Sequence, residues 1–434
     1  MTELLISRIQ FGVSIGIHYL FPITTLGLTL FIVIFETLYL AKRQEQDRAI
    51  STFLVKLLSL IFVAGVATGL MMPFSIGANW ARFSTYAGAV LGAIISVESI
   101  TAFALESAFI AILLFGRERV SPFVYWFSAV MVFIGSHLSG FWIVAANSWL
   151  QTPSGYVIAD GRVVLTSLSQ AVLNPSTLIR FAHVVTAAWV VGAFFTAGIA
   201  AYYMARARYD AFAQKLLTVA LPIALAGALA QPVIGHFHIL EVLEHNPEKD
   251  AAYEGIFKSV NGAPLLLFGI PDEENQVIHF PVGAPYLLSL LESGNPMSRV
   301  KGLEEFPREN WPPVNVIFTT FHLMIMLGVV MIGGAALGVF LMWRKKLWAA
   351  RWYLLLLPWL MPLPYLANEM GWIGTEIGRQ PWIIYEVMKT SNASTITLPL
   401  WQLYLSLAGI TLVYLAITAL TFVSVKKLVQ KGPG

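Results

Sequence analysis

The chain has 434 residues, 57% of them hydrophobic and 12% charged, and a mean hydropathy of +0.72, far more apolar than a soluble globular domain and therefore expected to be a polytopic membrane protein. It contains no cysteine, which excludes thiolate-held iron–sulfur clusters, haem attached through a CxxCH motif and structural disulfides, so any redox cofactor must hang on His, Met or carboxylate. The net charge of +3 resides mostly in basic loops and speaks for membrane orientation; no nucleic-acid partner is expected.

Apolar stretches lie at roughly 9–40, 52–75, 89–116, 123–147, 175–205, 216–239, 313–343, 352–370 and 400–425, each long enough to cross a hydrocarbon core of about 30 Å. They predict an all-α protein of about nine transmembrane helices arranged in bundles. The first stretch is too long for the apolar part of a signal peptide and has no basic segment before it, so it is expected to be retained as a span. If the spans alternate, Lys42/Arg43/Arg48, Arg117/Arg119, Arg206/Arg208/Lys215, Arg344/Lys345/Lys346/Arg351 and Lys426/Lys427/Lys431 fall on one side. The positive-inside rule makes that side cytoplasmic and places the N-terminus outside. Three polar segments, 148–174, 240–312 and 371–399, then share the outer side. The middle one is the sizeable insertion, and it divides the chain into 1–239, 240–312 and 313–434.

On spans that begin at the outer face, residue number measures depth at about 1.5 Å per residue. His18, Glu98, His183 and Met324 are expected about 7 to 12 residues inside their spans, roughly 10 to 18 Å deep, with Glu376 just after the outward end of the eighth span. Five ligands or proton carriers on five helices thus gather in the outer half. A cofactor cluster explains the gathering, because haem iron accepts His and Met as axial ligands and a buried haem is held by side chains projecting inward from facing helices. Plainer uses stand beside this one: His18 and His183 as interhelical hydrogen-bond partners, Met324 as packing. Glu98 and Glu106 are harder to treat that way, since a carboxylate near mid-bilayer costs about 3 kcal/mol. With Ser107 and Ser139 they predict a proton route, about 12 Å apart along an ideal helix and about 80° around it. His137, between Ser136 and Ser139, is expected to be a satisfied core histidine. Near the end of the eighth span, Glu376 and Arg379 are three residues apart, so on a helix they share a face and can pair or reach one bound group. Pro381 is expected to stop that helix.

The stretch Gly371-Trp372-Ile373-Gly374-Thr375-Glu376-Ile377-Gly378-Arg379-Gln380-Pro381-Trp382 closely resembles the GRQPW signature, here 378–382, of subunit I of cytochrome bd-type quinol oxidases. Ser7-Arg8-Ile9-Gln10-Phe11 with His18-Tyr19-Leu20-Phe21-Pro22 resembles that family's first helix, Gly77-Ala78-Asn79-Trp80-Ala81-Arg82 its first outer loop, and Ala145 to Pro153 the end of its fourth helix. The likeness runs from the first helix to the last and is weakest over 236–312. It implies that His183 and Met324 are axial ligands of a low-spin haem b. It implies that His18 and Glu376 serve two high-spin haems, a second haem b and a haem d or a third haem b, with the pairing of ligand and haem left open. Trp372 would pack against the haems, and Arg379 would belong to the same cofactor site. Glu98 would lie beside the high-spin pair, with Glu106, Ser107 and Ser139 on the proton route.

Pro247-Glu248-Lys249-Asp250-Ala251-Ala252-Tyr253-Glu254 resembles the family's lysine–glutamate quinol element, so Lys249 and Glu254 would hold and deprotonate the quinol. That loop is expected outside, several helix widths from the haem ligands; a solvated charged helix is the alternative for the pair. Three departures stand out. His322 occupies a position where many relatives have Arg, and a titratable imidazole there would make the low-spin haem potential pH-dependent. The loop is expected to open with Gly235-His236-Phe237-His238, an unusual pattern that bears on quinone type. Its length of about 70 residues resembles the short-loop branch, which bears on haem d content.

The expected function is that of a copper-free quinol:oxygen oxidoreductase of a prokaryotic cytoplasmic (inner) membrane. Quinol is oxidised at the outer face, O2 is reduced to water at the high-spin pair, and protons arrive from the cytoplasm past Glu106. The implied partners are a subunit II-like membrane protein and a small single-helix subunit. Two other classes stay open. A haem-containing anchor of a quinone-linked dehydrogenase would need two bis-His or His–Met pairs and no spare carboxylate, so Glu376 speaks against it. A proton-coupled transporter would usually show broken helices in both halves, whereas one such segment, near 371–382, is apparent.

Overall fold

Alternating apolar runs and basic loops do fold into a helical membrane bundle. The computed structural model describes residues 3–395 and 399–433, so 396–398 of the third polar segment lie outside the described residues. In chain order come α1 (Glu3–Lys42), α2 (Glu45–Asn79), α3 (Ala81–Glu98), a π-helical turn (Ser99–Phe103), α4 (Ala104–Phe115) and α5 (Pro122–Gln151). A small cap, β1 (Tyr156–Ala159), β2 (Arg162–Leu165) and α6 (Leu168–Val172), leads to α7 (Thr177–Met204) and α8 (Asp210–His245). The insertion holds α9 (Pro247–Glu254), β3 (Val260–Asn261), β4 (Leu265–Asp272), β5 (Val277–Ala284), α10 (Leu287–Ser293) and β6 (Arg299–Val300). Then follow α11 (Val314–Trp343), α12 (Arg351–Leu360), α13 (Leu363–Ile377), β7 (Trp382–Ile384), β8 (Met388–Lys389) and α14 (Leu400–Lys431). Strands occur only as antiparallel pairs, β1–β2, β3–β6, β4–β5 and β7–β8, among the described residues.

Eight helices among the described residues are long and apolar enough to cross a membrane, the third being Ala81–Phe115 with its π turn included. The single span expected at 352–370 is divided instead between α12 and α13. They part at Met361 and Pro362, where proline cannot continue the ladder of helical hydrogen bonds.

Several helices outrun their apolar stretches. α8 continues to His245, so Gly235 to His238 are helical and do not open the loop. The break comes at Asn246, and Pro247 then occupies the first turn of α9, a position where its missing N–H costs nothing. α13 likewise runs through Ile377, so Glu376 sits inside the helix and not beyond it. That helix stops at Ile377, with Gly378 as its cap, before Pro381 is reached.

The π turn changes one expectation. An added residue in one turn delays the helical phase by about 100°, so the roughly 80° expected between Glu98 and Glu106 shrinks to about 20°. Both carboxylates accordingly face α5: Ser139 donates to Glu98 at 2.7 Å, while Glu106 packs against Gly135, one turn away on the same helix.

α7 is the central span, with 83% of its apolar window buried, whereas α14 has 6%. Its crossing with α1 is backbone to backbone: a Cβ on Gly192 would stand 2.6 Å from the carbonyl carbon of Gly27, so only glycine permits this approach. On the basic-loop side the core is large and apolar, built from residues such as Phe31, Phe35, Phe53, Leu57, Phe194 and Tyr203. Its few charges are paired. Arg117 binds Glu36, which also accepts from Ser51, and Lys215 meets Asp47 at 2.6 Å.

Candidate functional site

At the opposite end, polar side chains from α5, α7 and α13 converge on Glu376. Its Oε2 accepts from Arg379 Nη2 at 2.7 Å, one of the two arrangements their spacing allows. Its Oε1 accepts from Asn147 Nδ2 at 2.6 Å, and Asn147 Oδ1 accepts from Arg180 Nη2 at 2.7 Å. Arg180 lies three residues before His183 on α7 and is buried, as is Arg379. Nε and Nη1 of Arg379, Nη1 of Arg180, Nδ1 of His183 and Nε1 of Trp382 are buried without a partner. Both guanidiniums keep unmet buried donors, a setting for further anionic oxygens.

The remaining predicted ligands surround this network. His18 and His183 each lie nine residues before the glycine crossing of α1 and α7, which sets them at one depth. His18 Nδ1 is 2.9 Å from Thr68 Oγ1 on α2, and Gly69 gives its ring room. Met324 on α11 turns its sulfur to Gly371, where a Cβ would come within 2.8 Å. One residue on, Trp372 and its neighbour Glu369 face Gly16 of α1. A cavity of about 380 Å³ lies between these helices, lined by Gly12, Gly16, Leu20, Tyr365 and Glu369 among others. Tyr365 and Thr24 share a 2.8 Å hydrogen bond nearby.

The structure overturns the expectation that the lysine–glutamate element stands several helix widths away, and with it the solvated-helix alternative. Every residue from Glu248 to Glu254 is buried. Lys249 Nζ donates to Gln151 Oε1 at 3.1 Å and to the carbonyl of Thr375 at 3.2 Å, and its chain packs on Gly378. The reason is the unbroken run of α8, which carries α9 against α11 and the end of α13. Burial and the nearby Arg180 and Arg379 push the Lys249 ammonium down to about 7. Burial and Glu292 push the Glu254 carboxyl up to about 8. Tyr385, just past β7, donates to both oxygens of Glu248 at 2.9 and 3.0 Å.

The candidate proton residues form a second group along α3, α4 and α5. Glu106 is buried with Oε1 unpartnered, and Ser107 is half-buried beside it. His137 is satisfied, as expected: its Nδ1 meets the Phe133 carbonyl at 2.8 Å and its Nε2 accepts from Trp189 at 3.1 Å. His322 ties α11 to the insertion, with its nitrogens 2.9 Å from the Phe318 carbonyl and 3.1 Å from that of Leu266 in β4.

The profile of the family described as cytochrome bd terminal oxidase subunit I matches residues 6–433. The chain belongs to this family. It is 33% identical over 442 residues to cytochrome bd ubiquinol oxidase subunit 1 of Bacillus subtilis (strain 168), covering all of this chain and 94% of that one. It is 28% identical over 496 residues to cytochrome bd-II ubiquinol oxidase subunit 1 of Escherichia coli (strain K12), covering 99% and 96%. The solved structure of bd oxidase from Geobacillus thermodenitrificans superposes with a TM-score of 0.93 at 27% identity, covering 99% of both chains.

Membership of the cytochrome bd family implies haem, and the residues present fit such a group. Unmet guanidinium donors of Arg180 and Arg379 suit propionate carboxylates, and the glycines at 16, 69 and 371 open space beside Trp372, His18 and Met324. Arg180, Asn147, Gln151 and Glu369 were not singled out from sequence as site residues. One signal for Arg180 was present: a guanidinium one turn from a histidine at the start of an apolar helix.

Proposed function

We propose that this subunit oxidises quinol at the outer end of the bundle and reduces O2 to water, with His183 and Met324 holding a low-spin haem b and His18 and Glu376 holding a high-spin haem b and a haem d or third haem b. The observation that carries the reading is the Glu376 network, in which a carboxylate, two guanidiniums and the end of α9 meet inside one membrane bundle. A bound haem supplies one-electron transfer and, where one axial position is open, oxygen reduction.

The chain's own residues do the rest. Asn147 and Arg379 hold Glu376 by one oxygen each, and Trp372 packs along the same helix. Lys249, neutral for much of its time near pH 7, accepts from a quinol hydroxyl, and Glu254 takes the proton. Protons for water rise from the cytoplasm along the shared face of Glu106 and Glu98, with Ser107 and Ser139 filling gaps between the carboxyls. The insertion 240–312 is the quinol domain, and 1–239 with 313–434 form the haem bundle. A subunit II-like membrane protein completes the oxidase in a prokaryotic cytoplasmic membrane, joined by a small single-helix subunit. A dehydrogenase anchor fits less well, because Glu376 is built into the cluster; a transporter would usually pair its broken α12–α13 helix with a second, and none appears among the described spans.

The deciding experiment is haem extraction from the purified protein together with its reduced-minus-oxidised spectrum. Low-spin and high-spin signals are expected, and haem-free protein would sink the reading.

A further inference from the structure

α9 has two adjacent working faces. Lys249 and Tyr253 point toward α13, where Lys249 reaches Gln151 and Thr375 and Tyr253 lies against Gly374. Asp250 and Glu254, four residues apart, share the neighbouring face. Both are buried, and each keeps one carboxyl oxygen without a partner, Asp250 Oδ1 and Glu254 Oε2. A third carboxyl comes from α10. Leu288 of that helix packs with Ile256, two residues beyond Glu254, and Glu292, one turn after Leu288, turns Oε1 inward, buried and unpartnered. The rest of Glu292 is half-exposed, and Ser293 and Gly294 after it are exposed. The three carboxyls therefore run from the buried quinol element to the surface of the insertion.

We propose that Asp250 and Glu292 carry the protons of quinol oxidation from Glu254 to the outer surface of the insertion. The proposal rests on the quinol reading of Lys249 and Glu254. Two quinols and one O2 give two quinones and two waters; each quinol loses two electrons, which the oxidase delivers to oxygen, and two hydroxyl protons, which need a way out. Glu254 receives a proton, and Glu292, aided by Asp250, passes it to solvent.

A structural role explains the cluster poorly. None of the three takes part in an ion pair among the described residues, and burying unpaired carboxylates is costly unless they hold protons. Burial raises Glu292 to about 7; burial and the other two carboxyls raise Asp250 well above its ordinary range. Charged or titratable neighbours are Lys249 and Tyr253 on the other face of α9, Glu248 bound by Tyr385, and Glu241 with His245 at the end of α8.

The test uses the complete oxidase, comparing Glu292→Gln and Asp250→Asn with wild type. Quinol turnover and its pH profile, haem spectrum and turnover with an artificial one-electron donor are the readouts. For Glu292→Gln the expected result is a fall in quinol kcat of the order of 10²-fold, with KM, haem spectrum and artificial-donor turnover retained. The acid limb moves to lower pH, because the lost carboxylate no longer raises Glu254, and Glu292→Asp restores most of the rate. Asp250→Asn shows a smaller loss of the same kind. Unchanged kcat and pH profile in Glu292→Gln would overturn the proposal, as would equal loss with both donors, or a loss that Glu292→Asp fails to restore. Glu254→Gln separates the two readings: normal quinol oxidation in that variant removes the quinol site itself, whereas a defect there beside a normal Glu292→Gln removes only the relay.

Discussion

The two ends of the bundle treat buried charge in opposite ways. On the basic-loop side, Glu36 with Arg117 and Asp47 with Lys215 form closed pairs inside a dense apolar core. Both ends leave some buried polar atoms without a hydrogen bond, Asp47 Oδ2 and Arg117 Nε on the first side and atoms of Arg180, Arg379, His183, Glu254 and Asp250 on the second, but on the second side Arg180, Glu254 and Asp250 have no ion-pair partner among the described residues. On the first side each of these charges has a counter-charge supplied by the protein itself. On the second side, uncompensated charge is what the proposed haem and quinol roles would use.

Breaking the open end should abolish function while sparing the fold. His183→Ala or Met324→Leu is expected to eliminate the low-spin haem signal and quinol oxidation, with CO binding at the high-spin site kept in chemically reduced protein; an unaltered low-spin spectrum in both would refute the ligand assignment. Next in size is Glu106→Gln, which keeps shape but cannot carry a proton. Flow-flash kinetics in proteoliposomes should show electrons arriving while oxygen turnover and charge movement fall together by the order of 10²-fold.

Lys249→Ala is expected to raise KM for quinol roughly tenfold, with haem content retained and artificial-donor turnover intact. Its pH profile sharpens the point. Lys249 at about 7 and Glu254 at about 8 act as acceptors only when deprotonated, so wild-type quinol kcat/KM should climb through pH 7 to 8, and the lower part of that climb should vanish in Lys249→Ala. The closed end gives the smallest functional effect. Glu36→Gln leaves Arg117 buried without its counter-charge, so a stability loss of about 3 kcal/mol is expected in thermal unfolding, while turnover per folded molecule stays near wild type. A large drop in that turnover would erase the distinction between the two ends.

Eight of the nine expected spans were readable because they rest on a local signal, apolar run length, and the gathering of polar residues around Glu376 was readable from titratable residues in apolar surroundings. Glu376 and Arg379 pair, one of the two arrangements their spacing allows. What escaped notice depended on tertiary context. Nothing in Pro247–Glu254 reveals that α8 overshoots its apolar stretch and buries this acidic, lysine-bearing segment against α13. The π turn at Ser99–Phe103 has no proline or glycine to mark it, so the shared face of Glu98 and Glu106 was hidden behind ideal helical geometry. Asn147 and Gln151 gained meaning only when the end of α5 met Glu376 and Lys249.

The glycine crossing of α1 and α7 also acts as a fulcrum. With backbones touching at Gly27 and Gly192, the helices cannot draw closer at that level, and a change in their crossing angle would turn about that point. His18 and His183 sit at the ends of equal lever arms of about 13 Å, so a relative tilt of about 10° would change their separation by roughly 2 Å. Substituents that loosen the pivot should therefore be felt as altered spacing between two distant imidazoles, long before the bundle itself comes apart.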